Sequence, residues 1–151
     1  MGCKALFAQH ETNSKMSLSP LLAAPLAIQV HVFTVVPAFI IGTWQIFFSR
    51  KGARHHRFWG YVYLALMTIT AISAIFVQTI MPDGPFAGIS PIHIFVPVTL
   101  AGVVGAIHGA RTRNLRLHRN SMLGVYIGGI LIAGAFTFMP GRIMHAVLFG
   151  A

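Results

Sequence analysis

Apolar residues along the chain gather into four long runs, at about 21–48, 58–81, 91–110 and 122–139, with short polar stretches between them. A hydrocarbon core about 30 Å thick needs roughly 20 helical residues to cross it, so each run predicts a membrane-spanning helix. The first connection, 49–57, reads Ser-Arg-Lys-Gly-Ala-Arg-His-His-Arg, and the third, 111–119, reads Arg-Thr-Arg-Asn-Leu-Arg-Leu-His-Arg. The middle connection, 82–90, contains no Lys or Arg and has the Pro and Gly of a turn. Residues 1–19 read as a polar, disordered tail, and 20–151 as one transmembrane domain. Beyond Pro140 the apolar stretch is too short to cross again and predicts a kinked continuation or an interfacial piece. The expected fold is all-α: an integral membrane four-helix bundle.

Composition strengthens this reading. The chain is 56% hydrophobic and 9% charged, whereas soluble domains carry about a quarter of their residues as Asp, Glu, Lys or Arg. Eleven Lys and Arg against two Asp and Glu give a net charge of +9. Because these cations punctuate apolar runs, they point to membrane topology and not to nucleic acid. The positive-inside rule places the two basic connections in the cytoplasm and the middle connection and both termini outside. Lys4, Lys15 and Arg142 oppose that assignment weakly. Glu11 and Asp83 are the two acids and Cys3 the one cysteine. That inventory excludes paired-carboxylate catalysis, carboxylate metal cages, Asp/Glu proton relays and a disulfide framework. No cleavable signal precedes Leu18, the Met-Gly-Cys start lacks the hydroxyl residue that acylation needs at position 6, and Met16 is an alternative start.

Trp44, Phe47, Phe48, Trp59, Tyr61, Tyr63 and Tyr126 fall near the inner boundary and read as interfacial anchors. Ala101, Gly105 and Gly109, with Gly124 and Gly128, form small-residue stripes suited to close packing of the third helix on the fourth.

The chain also repeats itself. His31-Val32-Phe33 matches His93-Ile94-Phe95 at an offset of 62, and the same offset relates Lys51 to Arg113, Arg54 to Arg116, and His56-Arg57 to His118-Arg119. One residue of slippage aligns Tyr63 with Tyr126, and two align Gly60 with Gly124. The pattern predicts two tandem helical hairpins of the same topology, a parallel internal repeat about an axis along the membrane normal. At 1.5 Å per residue, His31 lies about 28 Å from the inner boundary, and His93 takes the equivalent place. His56 and His118 form the matching inner pair, with His55 and His108 nearby, while His10 and His145 have no repeat partner.

Ionisable residues at membrane depth are functional candidates because burying them is costly. Haem requires two neutral imidazoles from different helices about a flat apolar slot. His31 and His93 would be its axial pair, with Phe33 and Phe95 lining the slot. His56 and His118 could hold a second haem, with Arg57 and Arg119 placed to pair with propionates. A divalent metal would want three or four converging ligands. Quinone or lipid headgroup binding makes no strict geometric demand. The bland alternative is interfacial histidines bonded to backbone or water, and inner His-Arg pairs that mark the boundary and contact anionic lipid. No catalytic set can be assembled; Ser73, Thr68 and Thr70 are candidates by residue type alone, and no polar stripe is expected beyond scattered Thr and Ser.

The opening histidine, the doubled His-Arg block and the closing Phe-Thr-Phe-Met-Pro-Gly-Arg at 136–142 resemble the bacterial predicted-membrane-protein family of unknown function, small four-helix proteins with the same landmarks. The resemblance covers about residues 28–150. It implies fold and a bacterial inner-membrane location and carries no activity. Two readings stand side by side: a small haem b electron-transfer protein, and a non-catalytic accessory or assembly subunit that docks on a membrane complex or on a second copy through its Gly-rich face.

Overall fold

The computed structural model describes residues 18–77, 91–138 and 143–149. Every regular element among them is helical. A short helix α1 (Ser19–Leu22) precedes α2 (Leu26–Phe47) and α3 (Arg54–Ile75). A 3-10 turn (Pro91–Ile94) then leads into α4 (Phe95–Arg111), α5 (Leu115–Thr137) and a final short helix α6 (Ile143–Phe149). By length and hydropathy α2, α3 and α5 are long enough to cross a membrane, and α4 is a shorter apolar helix of the same kind. The middle connection, the N-terminal tail and the Pro-Gly-Arg segment lie outside the described residues.

The first apolar run is interrupted at Ala23–Pro25, because Pro25, with φ −51° and ψ 146°, stands in extended conformation at the start of α2. Pro37, inside α2, removes one ladder hydrogen bond without ending the helix. The basic connections are far shorter than their charge suggests. Arg54, His55, His56 and Arg57 form the first turn of α3, and Leu115 to Arg119 open α5. Arginine is a good helix former and its long side chain reaches water from a helix as easily as from a loop, so charge did not mark the helix boundary. Two special backbone positions make the turns. Gly52 has φ +84° before α3, and Arg113 has φ 58° before α5, where the Asn114 side chain caps the new helix by accepting from the Leu117 N–H at 3.0 Å.

α2 with α3, and α4 with α5, are closely packed antiparallel pairs, and α3–α4 and α2–α5 contacts close them into a four-helix arrangement. The first seam buries Ala38, Gly42 and Gln45 of α2 and Ser49 just beyond its end. Against it lie Tyr63, Met67 and Thr70 of α3. In the second, a Cβ on Gly102 would stand 2.5 Å from Val125 Cγ2 and one on Gly109 2.5 Å from the His118 backbone nitrogen. The small-residue stripe that α4 presents to α5 is therefore Gly102, Gly105 and Gly109; Ala101 is exposed and Gly124 faces open space. One core joins all four helices through Ala38, Tyr63, Met67, Val103, Ala106, Val125, Tyr126 and Ile130. Tyr63 and Tyr126, expected at the interface, are 1% and 6% exposed and pack together on Gly42. Trp44, Phe47, Phe48, Trp59 and Tyr61 do lie on the surface. In α5, residues Val125–Ile132 form a π-helical stretch that brings Gly129 against α3 and α4, where a Cβ would meet Thr99 Oγ1 at 2.9 Å and Met67 Cε at 3.0 Å. At the far end, Leu21, Ile28 and Val147 tie α1 and α6 to α2.

Candidate functional site

His31 and His93 come from different hairpins, and both line one cavity of about 640 Å³. Its walls are mostly aliphatic and aromatic, from α2, α3, α4 and α5, with Phe95, Phe39 and Phe136 among them. Thr70, Thr99 and Thr137 supply the other polar side chains. A cavity of this size and character matches the sites in which proteins hold small molecules. The π-helical stretch of α5 contributes Gly129, Ile130 and Leu131 to the lining.

His31 sits in the second turn of α2, half-buried, with Nδ1 3.0 Å from the Thr70 carbonyl oxygen and 3.2 Å from Ser73 Oγ. A carbonyl only accepts, so Nδ1 carries the proton and donates to Thr70. In the neutral ring this leaves Nε2 with its lone pair. Thr70 is itself anchored, its hydroxyl 2.8 Å from that of Thr34, which donates to the Val30 carbonyl. His93 occupies the 3-10 turn that opens α4. Phe33, expected as a wall of the slot, is 61% exposed on the outer face of α2; Phe95 lines the cavity. The difference follows from the turn at Pro91–Ile94: helical phase is not shared between a continuous helix around His31 and a 3-10 segment around His93.

At the other end of the bundle, His56 and His118 sit in the first turns of α3 and α5 and are both half-buried. His118 Nδ1 donates to the Ala106 carbonyl at 2.9 Å, and His56 Nδ1 lies 3.0 Å from Ser49 Oγ. Gln45 Nε2 donates to the His56 carbonyl at 2.7 Å. Arg57 and Arg119 are exposed beside them. His55 is exposed and lies against Trp44, with ring centroids 5.9 Å apart, and His108 is exposed. Lys51 turns back to the end of α2, where it donates to the Gln45 and Ile46 carbonyls at 3.0 and 2.8 Å. Among the described residues no three His, Cys, Asp or Glu side chains converge as a metal site.

Sequence reasoning missed the two polar groups along the α2–α3 seam, Ser49 and Gln45 at the basic end and Thr34, Thr70 and Ser73 at the other. A signal was present: positions 38, 42, 45 and 49 are small or polar at helical spacing in an otherwise bulky apolar run.

These features define a small helical membrane protein with an apolar cavity that two histidines help to line. The chain belongs to the family described as Predicted membrane protein (DUF2306), which matches residues 28–149. No curated protein and no solved structure matches it.

Proposed function

We propose that this protein is a small membrane cytochrome of b type, in which His31 and His93 are the axial ligands of a haem held in the cavity. The observation that carries the reading is the meeting of the two repeat-related histidines at one apolar cavity. The donor set suits haem iron: two imidazoles without thiolate or carboxylate, among aromatic and aliphatic walls. The Thr70 carbonyl fixes His31 in the tautomer that a metal-ligating imidazole needs, with the other ring N–H donated to a backbone acceptor. Haem, when bound, supplies one-electron chemistry. The chain's own contribution is to orient the imidazoles and keep the site dry.

A second haem between His56 and His118 extends the proposal, supported by their half-buried positions and the matching role of the Ala106 carbonyl on His118 Nδ1. Arg57 and Arg119 would then pair with propionates. Around these sites we read two tandem hairpins in parallel repeat, both termini outside, with the basic turns on the cytoplasmic side of a bacterial inner membrane and in contact with anionic headgroups.

The test is an absorbance spectrum of the purified protein, oxidised and then reduced. A Soret band with a sharp reduced α band, lost in His31→Ala or His93→Ala, is the expected result. A colourless preparation from haem-supplemented cells overturns the reading and leaves the accessory-subunit role.

A further inference from the structure

The seam between α2 and α3 contains two polar atoms that packing leaves without a partner. Gln45 is 2% exposed and Tyr63 1%. Gln45 Oε1 and the Tyr63 hydroxyl are both closed off from solvent and take no hydrogen bond among the described residues. An unsatisfied buried polar group is costly, so two of them on facing helices call for a common explanation.

Local geometry brings them to the same level. Gln45 cannot turn Oε1 away cheaply, because Nε2 of the same amide donates to the His56 carbonyl at 2.7 Å. The Tyr63 ring lies against Gly42, one turn before Gln45 on α2, where a Cβ would stand 2.8 Å from Tyr63 Cε2. Gly60, one turn before Tyr63 on α3, lies beside Gln45, where a Cβ would be 3.5 Å from Nε2. Helical side chains lean toward the N-terminus of their helix, which carries the Tyr63 hydroxyl toward Gly60 and the Gln45 amide. A glycine on each helix keeps Cβ atoms out of this level of the seam.

We propose that Gln45 and Tyr63 bind a buried water molecule, which donates to Gln45 Oε1 and accepts from the Tyr63 hydroxyl. The chemistry selects this occupant. Oε1 accepts and so requires a donor, which disfavours a carboxylate or phosphate. Two neutral oxygens are too few ligands for a metal ion. Neither residue lines the large cavity, so an organic ligand held there does not reach them. The site stands apart from the haem reading and survives its failure.

The consequence is a polar half-path. Ser49, His56, Gln45 and the bound water carry hydrogen-bonding groups from the basic end of the bundle to Tyr63, about 10 Å beyond His56 along α3. There Ala38 and Met67, 0% and 1% exposed, close the seam. The cluster of Thr34, Thr70, Ser73 and His31 beyond that closure is a separate polar patch.

Water-edited solid-state NMR of the full chain in lipid bilayers tests the proposal. Magnetisation from water should reach the Gln45 carboxamide and the Tyr63 ring severalfold faster than it reaches Met67 and Ala38 on the same seam. In Tyr63→Phe the fast transfer to Gln45 should be lost while the remaining resonances hold their positions. Transfer to Gln45 and Tyr63 as slow as to Met67 in the unsubstituted protein overturns the proposal, with a direct bond between the two side chains as the alternative. Unchanged transfer to Gln45 in Tyr63→Phe overturns it as well.

Discussion

The tautomer of His31 is set by a main-chain carbonyl, which no side-chain substitution can remove. Its second contact, Ser73 Oγ at 3.2 Å, is the longer and replaceable one. Ser73→Ala should therefore leave haem retention nearly intact, since an exchangeable hydrogen bond of this kind is worth about 1 kcal/mol. His31→Ala should abolish it, and His55→Ala, which removes an exposed ring tilted against Trp44, should not change it. Haem content per protein after gel filtration measures all three. Comparable losses in the three variants would remove His31 from the site. At this scale the sequence exposed the histidines, because four of them fall in two pairs with a spacing of 25 from His31 to His56 and from His93 to His118. It hid the roles of Tyr63 and Tyr126. A tyrosine within about two turns of a basic block is ordinarily an interfacial anchor, and only the facing Gly42 makes room for both rings inside the bundle.

Helices were legible wherever apolar length alone decides, as in α2 and α3, and illegible where a turn depends on backbone conformation. Nothing in Arg111–Arg119 marks Arg113 as the residue with positive φ, since arginine is not a residue that seeks it. The tightness of that turn presses α4 onto α5. A Cβ on Gly109 would stand 2.5 Å from His118 N and 3.0 Å from both Asn114 O and His118 Cα. All three are backbone atoms of the next helix or its N-cap and cannot swing aside. Gly109→Ala should destabilise the protein by about 1–3 kcal/mol, the usual cost of overpacking. Gly124→Ala, which meets nothing within 4 Å, is the matched control and should be neutral or slightly stabilising through helix propensity. Thermal unfolding in detergent, followed by circular dichroism, compares them. Equal midpoints for the two variants would contradict the close approach of α4 and α5.

Across the whole molecule charge is distributed very unevenly. Four Lys and Arg fall at the α2–α3 connection and four at the α4–α5 connection, and the described residues include no Asp or Glu to offset them. These two connections lie at the same end of the bundle, since Tyr63 and Tyr126, each within two turns of its basic block, pack together on Gly42. Cysteines introduced at positions 54 and 116, in a Cys3→Ser background, should react only with reagents that reach the cytoplasm, and a cysteine at position 84 should react from outside. Labelling of 54 and 116 from outside would reverse the orientation. How the helices neighbour one another was legible only where small residues recur at helical spacing, as at Gly105 and Gly109 against α5, since apolar runs give spans without giving neighbours.

The 3-10 turn at Pro91–Ile94 also sets a relation between this protein and the thickness of its membrane. α4 has 17 residues, about 25 Å of α-helix, and falls short of a hydrocarbon layer about 30 Å deep. The four residues of the turn rise about 2 Å each and add roughly 8 Å, which brings the apolar segment to about that depth. His93 lies on the turn, at the rim of the cavity. Hydrophobic mismatch therefore bears on the cavity mouth before it bears on the rest of the bundle. In long-chain lipid the turn should therefore lie in hydrocarbon and the mouth stay dry, and in short-chain lipid the turn should lie among headgroups and the mouth be wetted. Reconstitution in phosphatidylcholines of increasing acyl length should show water accessibility of a cysteine at position 94 falling steadily with chain length. One at position 104, exposed in the middle of α4, should stay inaccessible throughout.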